Sequence, residues 1–309
     1  MTGMLAILFG VFTGALLPLQ TSVNNRLRRS VGAPLMASFL SFLVGTGALL
    51  IVTWITSGHP YPSLALTSGQ PWWVFTGGML GVLVLTGNIL LFPRVGSVQT
   101  VILPITGQII TGLAIDAFGL FGGPQLVLGW LRILGAMLVL GGALAVIGAF
   151  RRPAVPEAAI PGIWLWRLLG LAMGAAAATQ ISVNGRLGTV LGSAVEAALV
   201  SFTVGALTLL ILLFLTRTPW RGISGAGESN PWWMWIGGLL GATIIFGTAL
   251  LGPILGTGMT VVLMLLGMMT ASLIIDTFGL LGAEKRRVTW VQLLGLAVII
   301  TGVMMIRIL

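Results

Sequence analysis

The chain has 309 residues, of which 57 % are hydrophobic and only 7 % charged, with a formal net charge of +9. A water-soluble domain carries about 25 % charged residues, so this composition excludes a soluble globular protein and predicts an all-α integral membrane protein. Cysteine is absent and the one histidine, His59, sits beside Pro60. That excludes disulfides and thiolate metal sites and leaves no nucleophile–base constellation, so the chain reads as a non-enzyme, with no cofactor and no metal expected.

A helix needs about 20 apolar residues to cross the hydrocarbon layer. In chain order such stretches predict spans over 4–24, 34–56, 72–92, 97–118 and 128–149. A segment at 150–163, broken by Pro153, Pro156 and Pro161, is too short to cross. Further spans are predicted over 164–184, 194–215, 232–252, 257–278 and 288–308. The first residues lack a basic n-region and a small-residue cleavage site, so the N-terminus is read as the start of the first span rather than a removable signal. Tryptophans such as Trp54, Trp72, Trp73, Trp130, Trp232 and Trp290 mark span ends, where an indole ring finds both an apolar layer and a wet partner for its N–H.

The chain is one unit written twice. Residues 1–149 align with 161–309 at a constant offset of 160 without a gap, with 48 identical pairs. Gln20-Thr-Ser-Val-Asn24-Asn-Arg26-Leu27 returns as Gln180-Ile-Ser-Val-Asn184-Gly-Arg186-Leu187, and Ile115-Asp116-Ala-Phe118-Gly119-Leu120 returns as Ile275-Asp276-Thr-Phe278-Gly279-Leu280. Five spans per copy is an odd number, so the second copy enters the membrane from the opposite side. Loop charge agrees. With the N-terminus outside, the inward loops and helix ends hold Arg26, Arg28, Arg29, Arg94, Arg151, Arg152, Arg167, Arg217, Arg221, Lys285, Arg286 and Arg287, against Arg132, Arg186 and Arg307 outside. Basic residues concentrate on the cytoplasmic side, so both termini are predicted outside. The expected fold is ten transmembrane helices in two inverted five-helix repeats, 1–149 and 164–309, joined by a cytoplasmic linker over 150–163. The arginines are thereby explained by orientation rather than by nucleic acid, and the bilayer is the expected partner of a monomer or homodimer.

Polar groups in lipid face a bundle interior or a cavity, because unpartnered they cost free energy. Gln20 and Asn24 are four apart and share a helix face, as do Gln180 and Asn184. Each carboxamide offers two donors and an acceptor, so these pairs are candidates for substrate contact or for hydrogen bonds between helices. Gln108, matched by Met268, and Asn88, matched by Thr248, would make the two halves of a cavity unequal. Arg186 with Asp116 on the outer side, and Arg26 with Asp276 on the inner side, are candidate pairs for closing alternate gates. A single interfacial salt bridge contributes about 0–1 kcal/mol, which suits a reversible latch. The alternative is that each Asp ends its own helix and each Arg meets lipid phosphate. Glu196, matched by Met36, is the candidate for proton or cation coupling, against a solvated carboxylate at a helix start. Gly10/Gly14, Gly77/Gly81 and their counterparts Gly170/Gly174 and Gly237/Gly241 have the spacing of close helix contacts. Pro104 predicts a bend in the fourth span that its counterpart Met264 does not.

No phosphate-binding glycine loop with its lysine is present, which argues against direct ATP hydrolysis by this chain. No carboxylate falls in the middle third of a predicted span, which argues against carboxylate-based proton antiport of hydrophobic cations. Gln20-x3-Asn24-x-Arg26-Leu27, Ser41-Phe42-x-Val44-Gly45 and Gly107-Gln108-x7-Asp116-x-Phe118-Gly119-Leu120 together resemble YdcZ-type inner-membrane exporters of the drug/metabolite transporter superfamily. The resemblance covers both halves and implies the fused form of a five-helix unit in the inner membrane. It also implies a pathway between the halves and peripheral fifth and tenth helices. Met268 departs from the pattern by replacing the glutamine after Gly267. The expected function is a secondary transporter exporting a small polar or amphipathic metabolite or drug by alternating access. A passive channel for a small ion or solute, and a non-transporting scaffold, are the competing readings.

Overall fold

The computed structural model describes residues 3–149, 162–218, 230–282, 285 and 287–307. Residues 150–161 of the linker, with Arg151 and Arg152, and also Arg221, Glu284 and Arg286, lie outside the described residues, as does the side chain of Asn88. Among the described residues the regular structure is helical: α1 (Gly3–Val31), α2 (Pro34–Ser57), α3 (Gly77–Phe118), α4 (Trp130–Ile147), α5 (Ile163–Leu191), α6 (Ala194–Leu215), α7 (Gly237–Leu255), α8 (Thr257–Phe278) and α9 (Trp290–Arg307). Eight segments of these residues are long and apolar enough to cross a membrane. α5 and the first arm of α3 fall outside that set.

Three details differ from the sequence-based expectation. First, α1 and α5 continue past the predicted ends at 24 and 184, to Val31 and Leu191. Arg26, Arg186, Asn24 and Asn184 therefore sit within helices rather than at their ends. Leu27, Val31, Leu187 and Leu191 are buried, so packing carries the helix beyond the apolar run. Second, Trp72–Phe75 and Trp232–Trp235 are short 3-10 turns that open after Pro71 and Pro231, and the helices start at Gly77 and Gly237.

Third, α3 joins the predicted third and fourth spans through a break at Gly96 (φ 76°, ψ 173°), not at Pro104. The equivalent Gly256 (φ 85°, ψ 160°) separates α7 from α8. That corner of backbone space is open to glycine and closed to residues with a Cβ. The same glycine at the same place in each copy thus makes the same corner.

Helix packing repeats with the 160-residue offset exchanged between partners. Gly14 of α1 lies on the backbone of Met264 in α8, and Gly174 of α5 lies on the backbone of Pro104 in α3. Gly267 meets Val11, and Gly107 meets Leu171. At each of these glycines an added Cβ would strike backbone, so the helices approach as closely as their chains allow. The equivalent helices α4 and α9 run antiparallel, with Gly135 on Gly302 and Gly142 on Gly295. The equivalent α2 and α6 do likewise, with Gly45 on Phe202 and Gly205 on Phe42.

Candidate functional site

Glutamine–asparagine stripes and glycine pairs, separate motifs in the sequence, are two sides of one contact. Gln20 and Asn24 of α1 face Gly241 and Gly237 of α7. Gln180 and Asn184 of α5 face Gly81 and Gly77 of α3. The spacing of four places each stripe on one helix face, and the glycine spacing supplies a matching flat track. The asparagines settle on this track without hydrogen bonds: Asn184 is 0 % exposed, and its Oδ1 and Nδ2, like Oδ1 of Asn24, are buried without a partner. Phe42 of α2 and Phe202 of α6 stack with ring centroids 4.7 Å apart and planes at 27°, and Phe202 also bounds Gly241 beside Gln20.

Gln108 is half-buried on the second arm of α3, where its backbone N packs against Gly174. Thr248, the counterpart of Asn88, is buried and returns its hydroxyl to the carbonyl of Ile245 at 3.0 Å. Arg26 and Asp276 are both half-buried, near the ends of α1 and α8.

Asp116 and Arg186 do not form an ion pair in this structure. Both carboxylate oxygens of Asp116 cap the first turn of α8, accepting from Thr257 N at 2.6 Å and Gly258 N at 2.9 Å. A carboxylate there satisfies amides that a helix leaves open and meets the positive end of its dipole. Arg186 Nη2 instead donates to Gln70 Oε1 at 3.2 Å. Glu196 is not solvated: it is 5 % exposed and accepts from Ser57 Oγ at 2.8 Å, while its N–H donates to the N-cap Ser193 Oγ at 3.3 Å. The antiparallel packing of α2 and α6 brings the end of one to the start of the other, and so closes Ser57 over the carboxylate.

Beside Arg186 lies a cavity of about 340 Å³, lined by Gly122, Gly123, Pro124, Ser182, Arg186, Thr189, Gly252, Pro253 and Thr257. Sequence reading missed Ser182, Thr257, Gln70 and Ser57. Only Ser182 carried a signal, since it lies inside the repeated Gln-x-Ser-Val-Asn motif. The other three are loop or helix-end residues placed by tertiary packing. Among the described residues no cluster of three or more metal-ligating side chains occurs.

Apolar helices joined by glycine tracks and enclosing unbonded amides define a multi-pass membrane protein. The family model described as "Putative inner membrane exporter, YdcZ" matches residues 5–145 and again residues 165–305, and the chain belongs to that family. It is 29 % identical over 142 residues to the inner membrane protein YdcZ of Escherichia coli (strain K12), a match that covers 94 % of that protein and 46 % of this chain. One crystal structure is similar over 98 % of this chain and 96 % of its own, with a TM-score of 0.70 and 16 % identity, which establishes a shared fold.

Proposed function

We propose that the chain is a secondary transporter that exports a small polar or amphipathic solute by alternating access between two inverted five-span halves, 1–149 and 164–309. Ten spans are reached by counting the two arms of α3 separately and including α5. Inversion is supported by the antiparallel packing of α4 on α9 and of α2 on α6. Loop charge supports a cytoplasmic linker at 150–163 and both termini outside.

The observation that carries this reading is the seam of unbonded amides. A buried polar atom without a partner is destabilising by about 1–3 kcal/mol, and natural structures retain few. Asn24 and Asn184 lie unbonded against glycines of α7 and α3. When the seam parts, the same amides, with Gln20, Gln180, Gln108 and Asn88, meet water or solute and gain the hydrogen bonds they lack when closed. The stacked Phe42 and Phe202 occlude the path at that level. At one end Asp116 holds the corner between α7 and α8 while Arg186, bonded to Gln70 and not to Asp116, serves the gate; Arg26 and Asp276 serve the opposite end. Glu196, the buried acid without a counterpart in the first copy, couples transport to protons.

Counterflow in proteoliposomes tests this. Solutes that raise the melting temperature of the purified protein are expected to exchange across the membrane, and Asn184→Ala is expected to slow exchange in a folded protein. Conduction far above exchange rates, without counterflow, would make the chain a channel. A protein that moves no solute would be left as a scaffold.

A further inference from the structure

The cavity beside Arg186 is furnished for one kind of ligand. The Arg186 guanidinium has five N–H donors, and Gln70 takes its only hydrogen bond among the described residues. The chain of Arg186 lies along Gly122, where a residue without a side chain leaves the guanidinium open to the cavity. Two hydroxyls join it. Ser182 is 6 % exposed and Thr257 3 % exposed; both line the cavity, and neither hydroxyl has a hydrogen-bond partner among the described residues. No acidic residue lines the cavity, and the nearby Asp116 has both oxygens engaged by the amides of Thr257 and Gly258.

We propose that this cavity binds an anionic group, a carboxylate or an oxyanion such as phosphate, held by the Arg186 guanidinium and the hydroxyls of Ser182 and Thr257. A guanidinium pairs with two oxygens of such a group at once, and buried hydroxyls lacking a partner complete the shell. Pro124 and Pro253 give the cavity an apolar side, which suits a small organic acid. About 340 Å³ lies at the low end of small-ligand pockets, roughly 300–1,000 Å³. The site belongs to one end of the molecule. At the equivalent place in the other copy the hydroxyl of Ser22 is spent on the carbonyl of Pro18 at 2.9 Å, and the counterpart of Pro124 is the acidic Glu284. The proposal rests on the transport reading for its purpose, and names an anionic solute as the class that reading leaves open.

Binding is measured on the purified full-length protein by calorimetry and thermal shift. The probes are sodium benzoate, inorganic phosphate, neutral benzamide and sodium chloride at matched ionic strength. Benzoate or phosphate is expected to bind and benzamide is not; benzoate binding alone marks an organic acid, and phosphate binding alone an inorganic oxyanion. Arg186→Gln is expected to weaken binding by at least about tenfold and Arg186→Lys by less, because lysine keeps the charge and loses the fork. Ser182→Ala is expected to weaken it severalfold, and Ser22→Ala to leave it unchanged. Should Arg186→Gln fail to fold, Arg186→Lys and Ser182→Ala decide. Absence of binding by both anions, or equal binding by the parent and the folded variants, overturns the proposal. Anion binding without flux in proteoliposomes would overturn the transport reading alone; counterflow of a neutral or cationic solute without anion binding would overturn this one alone.

Discussion

Asn184 Oδ1 points at Gly77 with no hydrogen-bond partner, and Asn24 Oδ1 points at Gly237 in the same way. A carboxamide fully enclosed on α5 is seated on a glycine of α3, whose missing side chain leaves room for it. Gly77→Ala would drive a Cβ into Asn184 Oδ1. Overpacking of this kind destabilises by about 1–3 kcal/mol. The melting temperature in detergent is expected to fall for Gly77→Ala and to recover in large part in the double variant with Asn184→Ala. Additive losses in the two variants would mean that the residues do not touch.

Gly96 and Gly256 make equivalent corners but have different surroundings. An added Cβ at Gly96 meets none of the described side chains within 4 Å, whereas at Gly256 it meets Asp116 Oδ2 at 2.8 Å. Both substitutions to alanine carry a backbone cost of about 1–3 kcal/mol. Gly256→Ala additionally pushes against the carboxylate that caps α8. It is expected to lower the melting temperature more than Gly96→Ala does, and Asp116→Ala is expected to narrow that gap.

Glu196 and Ser57 tie α6 to α2 at 2.8 Å. Glu196→Gln keeps an acceptor for the Ser57 hydroxyl and is expected to leave stability nearly unchanged. Glu196→Ala strands that hydroxyl and is expected to cost about 1–3 kcal/mol. In proteoliposomes Glu196→Gln is expected to remove the dependence of flux on a proton gradient. Unchanged gradient dependence would end its coupling role.

The absence of cysteine provides a clean background for topology. His59 and Arg28 are both exposed, beyond α2 and near the end of α1. In intact spheroplasts an impermeant maleimide is expected to label His59→Cys and to spare Arg28→Cys until the membrane is opened. The reverse pattern would turn the molecule over and put the termini inside.

Hydropathy and the 160-residue offset are properties of local composition, so the apolar helical character, the duplication and the membrane class could be read from the chain alone. The corners were half-legible. Gly96 and Gly256 recur in register, but the neighbouring apolar residues concealed that α3 runs on across its glycine, and Pro104 drew attention away from it. Side-chain partners were not legible, because they depend on which helix faces cross. Asp116 meets an amide 141 positions away in Thr257 rather than Arg186. Glu196 is covered by Ser57 because α2 and α6 run antiparallel. The amide stripes and the glycine pairs were each visible in the chain; that one rests on the other was decided by helix packing, since a stripe records its own face and carries no record of what lies opposite.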